Sequence, residues 1–208
     1  MAEATDGELD AGPFGTWLDG MLAAMRGNGD ADVACGTCTA CCRSRQFVHV
    51  GADETEALAH IPADLRTPAP GRPGDVVIGY DAEGRCPLLG ENGCTIYDHR
   101  PRTCRVYDCR VFEAAGIAPD GDQPLIVDRA RRWRFAESSA RDALRRRAVE
   151  LTAAALDDPS SHPDGRVPIR AVHRASMAIG LHHLAVDGDQ VRRPVPVAVR
   201  RELERRRA

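Results

Sequence analysis

Cys35-Gly36-Thr37-Cys38-Thr39-Ala40-Cys41-Cys42 puts four thiols into eight residues, a density of sulfur that decides how the middle of this chain folds. A soft metal needs thiolates converging on one point. Cys-x-x-Cys achieves this locally, because a tight turn brings both sulfurs to the same side. Here two such turns run together, with one cysteine added. The spacing C-x2-C-x2-C also opens the bacterial ferredoxin run, which continues x3-C-P. In this chain the fourth cysteine follows at once, so the segment cannot close a ferredoxin cluster by itself. Adjacent residues normally point their side chains apart. Cys41 and Cys42 are therefore expected to serve different roles, either in two metal centres or as one ligand and one packing residue.

The partners lie downstream. Cys86, Cys94, Cys104 and Cys109 follow with gaps of seven, nine and four residues, and no cysteine occurs before 35 or after 109. Eight cysteines in 208 residues are too sparse for a small disulfide scaffold. The first residues are acidic and lack the basic and apolar regions of a secretory signal. The thiols are thus expected in a reducing, cytoplasmic compartment. There, clustered cysteines point to metal ahead of structural disulfides or a redox-active dithiol. Iron–sulfur comes first, because C-x2-C-x2-C and Cys86-Pro87 echo cluster ligation. Zn2+ held by four thiolates is the direct rival.

The two blocks together resemble the CxxCxxCC (YkgJ-type) cysteine-cluster family, a group of zinc- or iron-chelating proteins often labelled Fe–S-cluster-containing. The resemblance rests on the cluster at 35–42, on Cys86-Pro87-Leu88-Leu89, and on the run from Gly93 to Arg105, which reads G-C-T-I-Y-D-H-R-P-R-T-C-R. It covers about 35–112 and implies metal binding. Cys109 stands in Tyr107-Asp108-Cys109, a departure from the commoner Tyr-Pro-Phe ending, so its ligand role follows least directly. The metal-ligand candidates are Cys35, Cys38, Cys41, Cys42, Cys86, Cys94, Cys104 and Cys109. The first, second, third, fifth, sixth and seventh of these rank ahead of Cys42 and Cys109. A flagellin lysine N-methylase resembles the family in its cysteine cluster, but this chain shows no S-adenosylmethionine loop.

Around the cysteines the sequence reads as an α-rich α+β fold, with helices about an irregular middle and minor short strands. Residues 1–11 read as a disordered acidic start. Phe14, Trp17, Leu18, Met21, Leu22 and Met25 step by three and four, an amphipathic helix ended by Gly27-Asn28-Gly29-Asp30. Gln46–Val50 and Val76–Tyr80 read as strands. Asp53 reads as the cap of a helix through Ile61, and Pro101 as the first turn of a helix running to about Ala115. Trp133, Ala136, Ala140, Leu144, Ala148, Leu151 and Ala155 predict one long helix over about 129–156. Further helices are expected within 168–186 and at the basic C-terminus. This divides the chain into an N-terminal tail and helix (1–34), a metal-binding domain (35–115) and a helical extension packed on it (116–208).

The remaining candidates are less specific. Arg100 and Arg105 flank Cys104, where guanidinium donors would offset the excess negative charge of a thiolate centre. They read equally well as surface or carboxylate-paired arginines. Tyr97 could hydrogen-bond a sulfur or a backbone group, although a buried packing tyrosine is the plainer reading. His49, His60 and His99 read as surface or strand histidines, and His182-His183 as structural. All 28 bases are arginine, against 31 acids, a net charge of −3 that argues against nucleic-acid binding by bulk positive charge. The arginine-rich runs lie at 129–147, where Trp133 and Phe135 are the only aromatics, and at 192–207, which has none. They read as solvated faces or as partners of the acidic first 34 residues. No apolar run reaches the length of a membrane span. No general base, nucleophile or cofactor loop stands out. Two readings beyond metal binding therefore remain: an Fe–S-dependent redox or protein-modifying enzyme, and a zinc-stabilised module that is structural or binds a protein partner.

Overall fold

The structure, a computed structural model, describes residues 7–31, 33 and 37–207. At 46% helix and 13% strand it is a helix-rich α+β fold, with eight α-helices and small sheets among the described residues. No helix among them is long and apolar enough to cross a membrane.

The chain enters as a strand, β1 (Leu9–Pro13). This corrects the expectation of a disordered start from residue 9 onward; residues 1–6 lie outside the described residues. Gly12, at φ +80°, makes the bulge by which β1 runs into α1 (Phe14–Met25). Phe14, Trp17, Leu18 and Met21 are buried along one face of that helix. It ends as the glycines predict, with Gly27 at φ +81° and its N–H donated to Ala24 O.

The middle is built from short pieces. In chain order they are β2 (Val48–Val50), α2 (Thr55–His60), β3 (Thr67–Pro68), β4 (Val76–Ile78), β5 (Leu89–Gly90), β6 (Gly93–Cys94) and α3 (Arg102–Val106). β4 is the central strand of an antiparallel sheet ordered β2-β4-β3. Val48, Val50, Ala57, Ile61, Ile78, Leu88 and Ile96 form a small apolar core here, and Cys86, Cys94 and Cys104 pack against it.

The expected helix over 101–115 is broken. α3 stops at Val106 and α4 (Arg110–Ala115) starts afresh. Asp108 causes the break: its buried carboxylate accepts from Arg110 N at 2.8 Å and from Trp17 Nε1 at 2.7 Å, so it is held as a turn residue. Gly116 then closes α4 in the left-handed conformation, at φ +64°.

The expected long helix over 129–156 is also interrupted. The chain forms α5 (Pro124–Ala130), then β7 (Trp133–Ala136), then α6 (Ala140–Leu156). Trp133 and Phe135 point inward in strand alternation, and β7 pairs in parallel with β1, Leu9 facing Trp133. Ser139 caps α6 by accepting from Asp142 N at 3.1 Å. The steps of three and four at Trp133, Ala136 and Ala140 mimic a helix that tertiary pairing overrides. α7 (Ala171–Leu181), the small hairpin of β8 (Val186–Asp187) and β9 (Gln190–Val191), and α8 (Pro196–Arg207) complete the fold. Phe14, Leu18, Trp133, Leu156, Ile179 and Leu181 belong to one large core shared by α1, α4–α7 and β7.

Candidate metal centre

Backbone hydrogen bonds sew the two cysteine blocks together. Cys86 N donates to Cys42 O at 2.7 Å, and Arg45 N donates to Gly84 O at 3.0 Å. Cys86 opens a turn closed by Leu89 N on Cys86 O at 2.9 Å, leading into the β5–β6 hairpin, where Leu89 faces Cys94. Cys104 rides on α3, which Thr103 Oγ1 fastens to β2 by donating to His49 O at 2.6 Å. The segment before the first block is strapped to the same helix. Ala31 N donates to Arg105 O at 3.1 Å, and Arg105 pairs with Asp30 at 2.7 Å.

The result is a cavity of about 620 Å³ whose wall carries Cys38, Cys41, Cys42, Cys86, Cys94, Cys104 and Cys109. Cys35 lies outside the described residues. The thiols feel one another across this space. Burial, reinforced by Cys41, Cys86 and Cys94, pushes the Cys104 thiol up to about 12. Cys86 is raised by burial and by Cys94 and Cys41, while a hydrogen bond from the Leu88 backbone N–H works the other way. Cys41 is raised most, first through a hydrogen bond with the Cys42 side chain and then by burial. The 3-10 turn at Cys41–Arg43 turns both toward the cavity. Among the described residues, no three Cys, His, Asp or Glu side chains are arranged to hold a metal ion. The donors are gathered around one space without closing on one point. Their chemistry, all sulfur, is that of zinc and iron–sulfur sites.

A family model described as "CxxCxxCC: Putative zinc- or iron-chelating domain" matches residues 34–122. Over that segment the chain is similar to the CxxCxxCC domain. No curated protein and no solved structure matches the chain.

Around the thiols of the matched segment, the other candidates separate. Arg100 lies over the Tyr97 ring at 3.6 Å, lines the cavity, and lowers the Cys104 pKa, opposing part of its rise. Arg105 also lines the cavity while paired with Asp30, so it is both carboxylate-bound and close to the thiols. Tyr97 is 48% exposed, which corrects the reading of a buried packing tyrosine. The histidines stay away from the cavity. His49 meets Asp75 at 2.9 Å, His99 meets Glu56 at 2.9 Å and stacks on His60, and His182 bonds Ile179 O. Several arginines of the basic run meet the N-terminal acids, as in Arg134–Glu8 at 3.0 Å and Arg145–Asp19 at 2.5 Å.

Sequence reasoning missed Trp133, Arg129 and Tyr107, which line the same cavity. The Trp133 indole donates from Nε1 to Cys109 Sγ at 3.1 Å. Tyr107 is pushed up by burial and by Cys109 and Cys41. Trp133 and Arg129 lie beyond residue 122, outside the matched segment, and their local pattern suggested only a helix. Tyr107 adjoins the second block without any pattern that marks its surroundings.

Proposed function

We propose that this chain is a thiolate metalloprotein in which cysteines from both blocks build one or two iron–sulfur or zinc centres, with iron–sulfur the first reading. One observation carries it: cysteines from 38 to 109 line a single cavity, and the Cys86–Cys42 backbone bond joins the blocks there. Cys35, Cys38, Cys41, Cys86, Cys94 and Cys104 are the ligands of first choice. Cys42 and Cys109 join them if eight thiolates serve two centres. Bound iron–sulfur would supply electron transfer, and bound zinc a structural cross-link. Arg100 and Arg105 would offset the charge of the bound thiolates, and Tyr97 holds Arg100 at the rim. In this reading the middle of the chain, 35–115, is the metal-binding unit, and the flanking parts support it.

Purification under reducing conditions without chelator, followed by measurement of metal and sulfide per chain, tests the proposal. Iron with sulfide supports the first reading, and a colourless preparation with stoichiometric zinc supports the rival. A folded chain that carries neither and takes up neither overturns both.

The size of the cavity favours a second reading, an enzyme that uses the centre, since about 620 Å³ is within the range of small-molecule sites. A reversible redox wave under anaerobic voltammetry supports it, and a redox-silent zinc protein excludes its iron–sulfur form.

A further inference from the structure

Trp133 presents a buried donor to the thiol cavity from outside the CxxCxxCC segment. The residue is 2% exposed, and its Nε1–H is directed at Cys109 Sγ at 3.1 Å. An indole N–H can only donate, so burying it requires an acceptor. A neutral thiol is a weak acceptor, whereas a metal-bound thiolate is a strong one. Two guanidinium groups lie over the same ring, Arg129 at 4.8 Å and Arg110 at 5.8 Å from its centroid. They draw electron density from the indole and so strengthen its N–H as a donor. Trp133 is fixed by the register of β7 on β1, opposite Leu9, and Arg110 is held by the buried Asp108 at 2.9 Å.

We propose that Cys109 is a metal ligand and that Trp133 is its positioning residue, its indole N–H holding the bound thiolate. This rests on the metalloprotein reading and extends it. It moves Cys109 from last choice to ligand and makes β7, outside the matched residues, part of the centre. Groups that orient metal ligands in this way typically contribute about 10–100-fold to metal affinity.

The test uses the full chain stripped of metal and titrated with Co2+ alone, reading the thiolate-to-cobalt charge-transfer band. Cys109→Ser is expected to lose part of the band's intensity. Trp133→Phe, which keeps an aromatic ring but removes the N–H, is expected to bind the same amount of Co2+ about 10–100-fold more weakly. Its band should lie at lower energy, because the thiolate has lost its donor. Trp17→Phe removes the other indole, whose N–H goes to Asp108, and should leave the band in place. A Cys109→Ser band equal to wild type overturns the proposal, as does a Trp133→Phe titration and band equal to wild type. If Trp133→Phe does not fold, Trp133 emission in Trp17→Phe carries the second arm. Quenching by stoichiometric Co2+ that Cys109→Ser weakens supports the proposal, and an unquenched signal, or quenching unchanged by Cys109→Ser, overturns it. A chain that takes up no Co2+, zinc or iron overturns the metalloprotein reading and this proposal together. Uptake with a spectrum independent of Cys109 overturns this one alone.

Discussion

The helical core and the cysteine-rich middle hold themselves together by different means. In the core, Phe14, Leu18, Trp133, Leu156, Ile179 and Leu181 are each buried to within 2% exposure, all but Trp133 on helices of up to 17 residues. Each such side chain is worth about 1.5–3 kcal/mol of burial. In the middle, strands of two or three residues surround a few aliphatic side chains and partly buried thiols. Long loops and short strands order a great deal of backbone for little apolar area. The comparison teaches that the core can stand on burial, while the middle depends on whatever draws its sulfurs together.

Metal removal should break the comparison open. A structural thiolate site is worth about 10–16 kcal/mol, so chelation is the largest effect expected. Hydrogen exchange should show residues 46–50 and 76–106 losing protection while α6 and α7 keep theirs. Equal loss in both regions would mean that they fold as one unit.

Asp108→Ala comes next, because that carboxylate is fully buried between Trp17 and Arg110 where the two regions meet. Removing one partner of such a pair costs about 3–5 kcal/mol. Urea denaturation should register it, together with lower metal content.

Leu156→Ala confines the damage to the core, at about 2–5 kcal/mol, and should leave metal per chain unchanged. A parallel fall in metal would show that the middle leans on the helices.

The alkaline limb sharpens the contrast further. Cys104 is pushed up to about 12 in the metal-free fold, while an unfolded thiol titrates near 8.5. Between those values the unfolded chain has released a proton that the folded chain retains. Stability is therefore intact below about 8.5 and falls as pH rises toward 12, by up to about 1.4 kcal/mol per pH unit for such a thiol. Exchange measured against pH should place this loss in the middle. The loaded protein should behave in the opposite sense, because metal displaces thiol protons and acid restores them.

The smallest effect is Ser139→Ala, which removes the α6 cap. About 1 kcal/mol is expected from thermal unfolding, again without change in metal.

Legibility followed the range of the interaction. α1 was readable because Phe14, Trp17, Leu18 and Met21 share one face of one helix, and its glycines mark the end. The strand at 48–50 was readable from alternation, and that at 76–78 as an apolar run ending in a turn. The cysteine blocks were legible as clusters, whereas their gathering around one cavity depends on contacts such as Cys86 N to Cys42 O between segments far apart in sequence. The helix breaks at Asp108 and at Trp133 were not readable. Asp108 turns the chain because Trp17, 91 residues away, donates to it. Trp133 is strand because Leu9 pairs with it.

By itself, then, the sequence determined the helix-rich class, the helical face of α1, the glycine turn that ends it, and the sulfur-rich character of the middle. All of these arise from residues within a few positions of one another. Only the tertiary structure decided that β1 lies beside β7, that Arg105 straps Asp30 across α3, and that the Trp133 indole reaches Cys109. Those contacts join segments 24 to 124 residues apart. Whether such contacts form depends on how all the elements pack at once, and no local periodicity records that.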